Sequence, residues 1–124
     1  VAREAGPDRF TWLAGAAELT APAYWAVGAR AFTSGLANVH PGLALSMLEA
    51  LRANDFGAAM KVWESVRRFE ELRGADNSAD NVSVVKEALA QLGLGRADVR
   101  PPSRPLPPEI KQESSGILAS WGLK

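Results

Sequence analysis

The chain has 124 residues, a length typical of one domain. Its 14 basic and 14 acidic residues cancel, which argues against a nucleic-acid partner, because such partners normally require a basic surface. The absence of cysteine excludes disulfides, thiolate nucleophiles and zinc–thiolate sites. Since no apolar run could span a bilayer and the N-terminus lacks a signal-peptide pattern, we expect a cytoplasmic chain that binds no membrane.

The first 35 residues have the pattern of a strand, a helix and a second strand. Residues 10–15 are rich in aromatic and β-favouring residues, which predicts a strand. Residues 17–27 predict a short helix that ends at Gly28, with Pro22 tolerated only near the first turn. Residues 29–34 predict the second strand. Two strands joined by one helix form a βαβ unit, so we expect the strands to be parallel.

This βαβ unit is too small to be a complete sheet. Two parallel strands are not stable alone, and parallel strands are normally buried on both faces. The sequence also begins with a pattern typical of the last turn of a helix that ends at Gly6. We therefore expect the two strands to belong to a larger sheet whose other strands lie upstream.

The remaining residues predict four helices. Asn38 is the expected N-cap of the first, and Asn54-Asp55 separates it from the second. A break at 74–78 precedes a third helix over 81–92, and a proline-rich connector over 99–108 precedes the last. The predicted apolar faces of the four helices are, in order, Leu43, Met47, Leu48 and Leu51; Phe56, Met60, Trp63, Val66 and Phe69; Val82, Val85, Leu89 and Leu92; and Ile110, Ile117, Leu118 and Trp121.

The order and spacing of several short motifs resemble the C-terminal part of the dihydrodipicolinate synthase/N-acetylneuraminate lyase family. The tail motifs are similar to those of its sugar-acid dehydratase-like members. The motifs are FTWLAG (10–15), GARAFTS (28–34), ANVHP (37–41), LRANDF (51–56), VKEAL (85–89), LGL (92–94) and VRPP (99–102), with FEELR (69–73) and NVSVVK (81–86) in the tail.

This resemblance implies an α/β fold: the last two strands of a (β/α)8 TIM barrel, with their helices, over residues 1–53, and a three-helix C-terminal extension over 54–124. It implies a Schiff-base-forming, class I aldolase-type lyase that acts on pyruvate or a related 2-oxo acid. The resemblance also implies a homo-oligomer, either a dimer or a tetramer. We expect no cofactor, because Gly93-Leu94-Gly95 is too short for a phosphate loop and follows a helix.

The family's Schiff-base lysine is expected upstream of this chain. A Schiff-base lysine needs a desolvated position that lowers its pKa. The four lysines here, Lys61, Lys86, Lys111 and Lys124, all fall in predicted helices or at the terminus, and none ends a strand. We therefore expect the isolated chain to be inactive.

The candidate substrate-binding residues follow the two predicted strands, where barrel enzymes build their sites. They are Thr33, Ser34, Gly35, Gly15 and Ala16. For Ser34 and Gly35, a binding role and a purely structural turn are both open; for Thr33 the structural interpretation is favoured. Family members often carry polar residues where this chain has Ala16-Ala17, which indicates an apolar wall there. For Glu18, a position at the mouth of the site is open, but a first-turn carboxylate that favours the dipole of its own helix is the favoured interpretation.

For the other polar residues, a position on the surface or in solvent is the favoured interpretation. His40, the single histidine, has no metal-ligand partners at suitable spacing and is interpreted as a surface or mouth residue. Four acidic residues are interpreted as lining a solvated helix end and loop: Glu70, Glu71, Asp76 and Asp80. The many amphipathic helices leave one alternative to the lyase hypothesis, a small non-catalytic α-helical interaction domain.

Overall fold

The computed structural model describes residues 2–6 and 9–124. Their elements, in chain order, are α1 (Ala2–Ala5), β1 (Leu13–Ala14), α2 (Ala17–Ala26), β2 (Ala31–Phe32), a 3-10 turn (Leu36–Asn38), α3 (Pro41–Arg52), α4 (Phe56–Ser78), α5 (Asn81–Gln91) and α6 (Pro108–Ser120). The chain divides into two compact units, the first ending at Arg67 and the second running from Arg68 to Lys124. None of the helices in these described ranges is both long enough and apolar enough to cross a membrane.

The sheet of the first unit consists of β1 and β2. They pair in parallel, with Leu13 opposite Ala31 and Ala14 opposite Phe32, which confirms the predicted βαβ arrangement. Each strand has two residues, so the predictions of strands over 10–15 and 29–34 were too long. In the described residues each strand pairs with one other strand, so the sheet has few hydrogen bonds. The Leu13 side chain is 57% exposed.

Helix α2, which joins the strands, has the predicted extent, but Pro22 does not lie near its first turn as predicted. Pro22 is its sixth residue, inside the helix, and is buried. The helix ends because Gly28 takes a left-handed φ of +113°, which favours glycine, and the Ala29 N–H donates to the Tyr24 carbonyl at 2.9 Å.

The helix after β2 begins later than predicted. Asn38 is not its N-cap, because residues 36–38 form the 3-10 turn. His40 caps α3 instead: its Nδ1 accepts a hydrogen bond from the Leu43 N–H at 3.3 Å, and Pro41 is the first helical residue. On α3, Ala44, Met47 and Leu51 are buried, so two of the four predicted apolar positions form its fully buried face.

Helix α4 runs from the first unit into the second. Its predicted apolar stripe is only partly buried: Val66 and Phe69 are buried, whereas Phe56 and Met60 are exposed. Near its C-terminus, residues 75–77 leave the helical conformation and produce a kink at the predicted break. Asp76 and Asn77 both adopt positive φ there, and Asx side chains tolerate this conformation best after glycine.

The predicted buried face of α5 was wrong. Val82 is 52% exposed, and the buried residues are instead Ser83, Val84, Glu87 and Ala88. Two polar side chains occupy this face because each has a partner: the Ser83 hydroxyl donates to the Arg104 carbonyl at 2.6 Å, and Glu87 accepts from Gln91 at 3.0 Å. Periodicity of apolar residues cannot identify a face that such pairs hold.

The second unit is closed by the proline-rich connector and α6. Leu106 of the connector is buried, and so are Ser114 and Leu118 of α6. Trp121, which follows α6, packs edge-to-face on Phe69 with ring centroids 5.3 Å apart.

Candidate functional site

The carboxyl ends of β1 and β2 meet at one edge of the first unit. The Thr33 N–H donates to the Ala14 carbonyl at 3.0 Å, and the Thr33 hydroxyl donates to the Gly15 carbonyl at 3.1 Å. Parallel strands place the residues that follow them on the same side of the sheet. The structure therefore brings together the segments that contain the predicted site residues, and Thr33 joins the segments directly.

A buried carboxylate lies behind this edge. Glu18, in the first turn of α2, has no exposed surface, and its Oε1 accepts a hydrogen bond from the Ser34 hydroxyl. The Ser34 oxygen in turn accepts a hydrogen bond from the Ala37 N–H at 2.9 Å. Burying a carboxylate is unfavourable unless polar groups compensate for the lost water, so this pairing holds the turn after β2 against the start of α2.

The backbone before Glu18 is strained. Ala17, a buried residue with a Cβ, has a φ of +55°, in the left-handed region that disfavours alanine by about 1–2 kcal/mol. Ala16 precedes it at the N-cap position of α2, and no side chain caps that helix. The surrounding structure thus holds an unfavourable conformation next to the buried carboxylate, as is common at functional sites.

The remaining candidates, Gly15, Ala16 and Gly35, lie at the same edge and have no polar side chain. Gly15 and Ala16 are exposed, and a Cβ built on Gly15 would meet no other atom within 4 Å. Gly35 has a right-handed φ of −80° at the start of the 3-10 turn, so the backbone does not require glycine there. The edge at Gly15 is open, therefore, and is not filled by close packing.

A sequence profile described as the Dihydrodipicolinate synthetase family matches residues 2–120. The match covers nearly the whole chain. The chain belongs to the dihydrodipicolinate synthetase family.

Curated relatives within this family carry two kinds of name. A protein of Polaromonas naphthalenivorans named "Probable 5-dehydro-4-deoxyglucarate dehydratase" is 30% identical over 93% of this chain and 39% of its own length. The "4-hydroxy-tetrahydrodipicolinate synthase 1" of Streptomyces coelicolor is 33% identical over 90% of this chain and 35% of its own length. The chain thus spans less than two-fifths of these relatives.

Solved structures of dihydrodipicolinate synthases share the fold of this part. The enzyme from Bacillus clausii has 45% sequence identity and a TM-score of 0.87, covering 90% of this chain and 38% of its own. The enzyme from Oceanobacillus iheyensis has 41% identity and a TM-score of 0.85 over similar shares. The small two-stranded sheet and the many helices correspond, therefore, to part of a longer protein of this family.

Glu18 lies in the first turn of α2 as predicted, but its burial and its contact with Ser34 were not predicted. A first-turn carboxylate is normally solvated and interacts with its own helix, whereas this one is buried and bonded to Ser34, sixteen residues further along the chain. Helical periodicity did not indicate this contact, because the contact depends on the parallel pairing of β1 and β2. The only hint was its place three residues after Gly15, at the end of a predicted strand.

Two acidic residues were also misjudged. Glu70 and Asp80 were predicted to be solvated, but both are buried and each faces an arginine. Glu70 pairs with Arg73, and Asp80 accepts from Arg104 Nε at 3.2 Å. Asp76 and Glu71 are exposed, as predicted. In residues 2–6 and 9–124, no three His, Asp or Glu side chains are grouped so that they could hold a metal ion.

The four lysines and His40 do not belong to a strand or to the residues that directly follow one. Lys61, Lys86 and Lys111 belong to helices, and Lys124 donates to Gln91 and Ser115 at the C-terminus. His40 is half-buried and its ring caps α3, so it has a structural role that the sequence did not indicate.

Proposed function

We propose that this chain is the C-terminal part of a Schiff-base-forming lyase that acts on pyruvate or a related 2-oxo acid. One observation carries the proposal: within a member of this family, two parallel strands direct Gly15 and Thr33 to one open edge, with Ser34 beside it. Enzymes built on parallel α/β units bind substrates at this end of their strands.

In this proposal β1 and β2 are the last two strands of a (β/α)8 barrel, and the helices beyond residue 54 form the extension. A complete barrel has about 250 residues, so the other strands come from the part of the protein that this chain does not include. The exposed Leu13 side chain of β1 supports a further partner for the sheet. We expect the complete protein to be a homo-oligomer in the cytoplasm.

The five candidate residues would border the bound oxo acid: Thr33, Ser34, Gly35, Gly15 and Ala16. Thr33 and Ser34 would supply hydroxyl groups, and the two glycines and Ala16 would leave room for the ligand. The reaction is one of three kinds: a cleavage, a condensation, or the dehydration of a keto-deoxy sugar acid. The names of the relatives support the last two alternatives.

Chemical trapping tests the proposal. The full-length protein is incubated with pyruvate and sodium borohydride, which reduces a Schiff base to a stable secondary amine, and the adduct is located by peptide mass spectrometry. We expect one modified lysine outside these 124 residues and none at Lys61, Lys86, Lys111 or Lys124. A full-length protein that forms no adduct would show that the lyase proposal is wrong.

The folding of the isolated chain separates this proposal from a self-contained helical interaction domain. We expect the 124-residue chain alone to aggregate or to lack fixed tertiary packing, since the sheet and several apolar side chains, including Val27, have no cover. A monomer with a cooperative unfolding transition and a native near-ultraviolet circular dichroism spectrum would favour the interaction domain.

A further inference from the structure

We propose that Asp80 is the switch residue of a salt-sensitive conformational change, with two alternative partners: Arg104 of the proline-rich connector and the N-terminus of α5. In the structure Asp80 pairs with Arg104, and no side chain caps α5. Release of Arg104 frees the carboxylate to cap the helix. All of these residues lie in the second unit, so the switch does not depend on the lyase function.

Arg104 holds the connector against the turn between α4 and α5. Its Nε donates to Asp80 Oδ1 at 3.2 Å, and its Nη2 lies 3.4 Å from Asp80 Oδ2. The same Nη2 donates to Asp76 Oδ2 at 2.8 Å. The Arg104 carbonyl accepts the Ser83 hydroxyl at 2.6 Å. One connector residue therefore contacts the turn, the residue that precedes α5, and α5 itself.

Asp80 occupies the N-cap position of α5 without the usual contacts of that position. An aspartate there normally accepts a hydrogen bond from the N–H of the second or third helical residue, here Val82 or Ser83. The Asp80 carboxylate is bonded to Arg104 instead. Its ψ of 7° also differs from the β-region conformation that is typical of N-cap residues. Capping by Asp80 therefore requires the turn before α5 to change conformation.

This turn has an unfavourable backbone conformation. Asp76, Asn77 and Ser78 all have a left-handed φ, between +48° and +65°, and residues with a Cβ rarely adopt that conformation in succession. Residues 74–79 are exposed, so little packing opposes a rearrangement. Arg104 stabilises the observed conformation, because it pairs with Asp76 inside the turn and with Asp80 at its end.

The two partners of Asp80 should respond differently to salt. The Asp80 side chain is only 12% exposed, so its carboxylate needs a hydrogen-bond donor in either conformation. Arg104 and Asp76 are 56% and 72% exposed, and salt weakens the pairing of exposed charges. The N–H groups at the start of α5 carry no net charge, so salt weakens the cap less. Higher ionic strength should therefore shift Asp80 from Arg104 to α5.

Hydrogen exchange of the full-length protein, read out at single amides by fragmentation, tests the switch. In Arg104→Met we expect the N–H groups of Val82 and Ser83 to exchange about three- to tenfold more slowly, the effect of one hydrogen bond gained. Amides of the connector over 99–106 should exchange faster, because the side chain that holds them is lost. Arg100→Met, which removes an exposed arginine of the same connector, should change neither.

Two substitutions of Asp80 separate its two roles. Asp80→Asn removes the charge that pairs with Arg104 but keeps a good N-cap, so it should change both sets of amides as Arg104→Met does. Asp80→Ala removes both roles, so it should release the connector without slowing exchange at Val82 and Ser83. In the wild type, 1 M sodium chloride should act in the same direction as Arg104→Met, and it should have little further effect in that variant.

The two sets of amides give opposite signals only if the switch exists. Slower exchange at Val82 and Ser83 together with faster exchange in the connector supports it. Faster exchange at both places in Arg104→Met would show that Arg104 is a structural contact only, and would overturn the proposal. An unchanged rate at either place also overturns it. If Arg104→Met does not fold, the same criteria apply to Asp80→Asn and to the wild type in low and high salt.

Discussion

Glu70 and Arg73 form a buried ion pair one turn apart on α4, with Arg73 Nη1 lying 2.6 and 2.7 Å from the two carboxylate oxygens. The same guanidinium donates to Asn81 Oδ1 from Nη2 at 2.7 Å and from Nε at 3.1 Å. Arg73 therefore connects α4, before its kink, to the first residue of α5. The connection depends on a charge that is removed from water.

Removal of Arg73 should be strongly destabilising. Arg73→Met keeps much of the side-chain length but leaves the Glu70 carboxylate buried without its cation, and breaking a buried pair in this way costs about 3–5 kcal/mol. Urea denaturation of the full-length protein measures the change in the free energy of unfolding. Arg67→Met removes an exposed arginine of the same helix and should change it by less than about 0.5 kcal/mol. Equal effects of the two substitutions would contradict the role given to burial.

The pair should also respond to pH. Burial raises the pKa of Glu70 above its ordinary value of 4.5, and this effect outweighs the hydrogen bonds and charge of Arg73, which lower it. Since the folded protein binds this proton more tightly than the unfolded chain, the contribution of Glu70 to stability is largest below pH 4.5. That contribution is lost as the pH rises through the folded pKa.

Glu70→Gln removes this dependence. The free energy of unfolding of the variant, compared with that of the wild type, should therefore rise as the pH increases from about 4 to 7. Loss of the negative charge beside Arg73 adds an offset that does not change this trend. Denaturation midpoints measured at several pH values in this range give the slope. A difference that does not vary with pH would show that burial does not raise the pKa of Glu70.

The exposed pair of Arg68 and Glu113 should behave in the opposite way. The hydrogen bond from Arg68 lowers the pKa of Glu113, so the pair contributes stability above pH 4.5 that is lost as the pH falls through the folded pKa. Because solvent screens both groups, Glu113→Gln should lose only about 0.5 kcal/mol at pH 7, and less in 1 M salt. Glu64→Gln, on a longer 3.8 Å pair with Arg67, is the matched control and should have a smaller effect.

The hydrogen bond from Trp63 to α2 should stabilise the first unit. Trp63 Nε1 donates to the Leu19 carbonyl at 3.0 Å, a contact between residues 44 positions apart. Trp63→Phe keeps an aromatic ring and removes the donor, and the expected loss is about 1–2 kcal/mol in the free energy of unfolding. Tyr24→Phe also removes one polar atom from an aromatic residue, but at an exposed position, and should be neutral. A neutral Trp63→Phe would contradict the contact.

Two valines on α5 test which face of that helix is buried. Val84 is fully buried and Val82 is half-exposed, and both side chains lose the same two methyl groups on substitution by alanine. Val84→Ala should lose about 1.5–3 kcal/mol, because it removes apolar contacts and leaves a cavity, whereas Val82→Ala should lose less than about 0.5 kcal/mol. Thermal or urea denaturation of the two variants measures both losses. A larger loss for Val82→Ala than for Val84→Ala would favour the buried face predicted by periodicity.

Local sequence signals were sufficient for the order of the strands and helices and for the C-terminal ends of several helices. Gly28, which has a positive φ, ends α2 as predicted, and α6 runs from Pro108 close to Gly122. Parallel pairing of the two strands followed from their separation by one helix, because a connection of that length returns the chain to the same edge. These features depend on neighbours within a few residues along the chain.

Tertiary structure alone decided which polar groups are buried and what they contact. Glu18 and Ser34 meet because β1 and β2 pair in parallel, and Ser83 and Glu87 occupy the buried face of α5 because each finds a partner. Such contacts join residues that are distant in sequence, and the free energy of burying a polar group depends on whether its partner is present. The sequence by itself indicated the family and the position of the edge, whereas the contact between Glu18 and Ser34 came from the tertiary structure, because no local pattern encodes it.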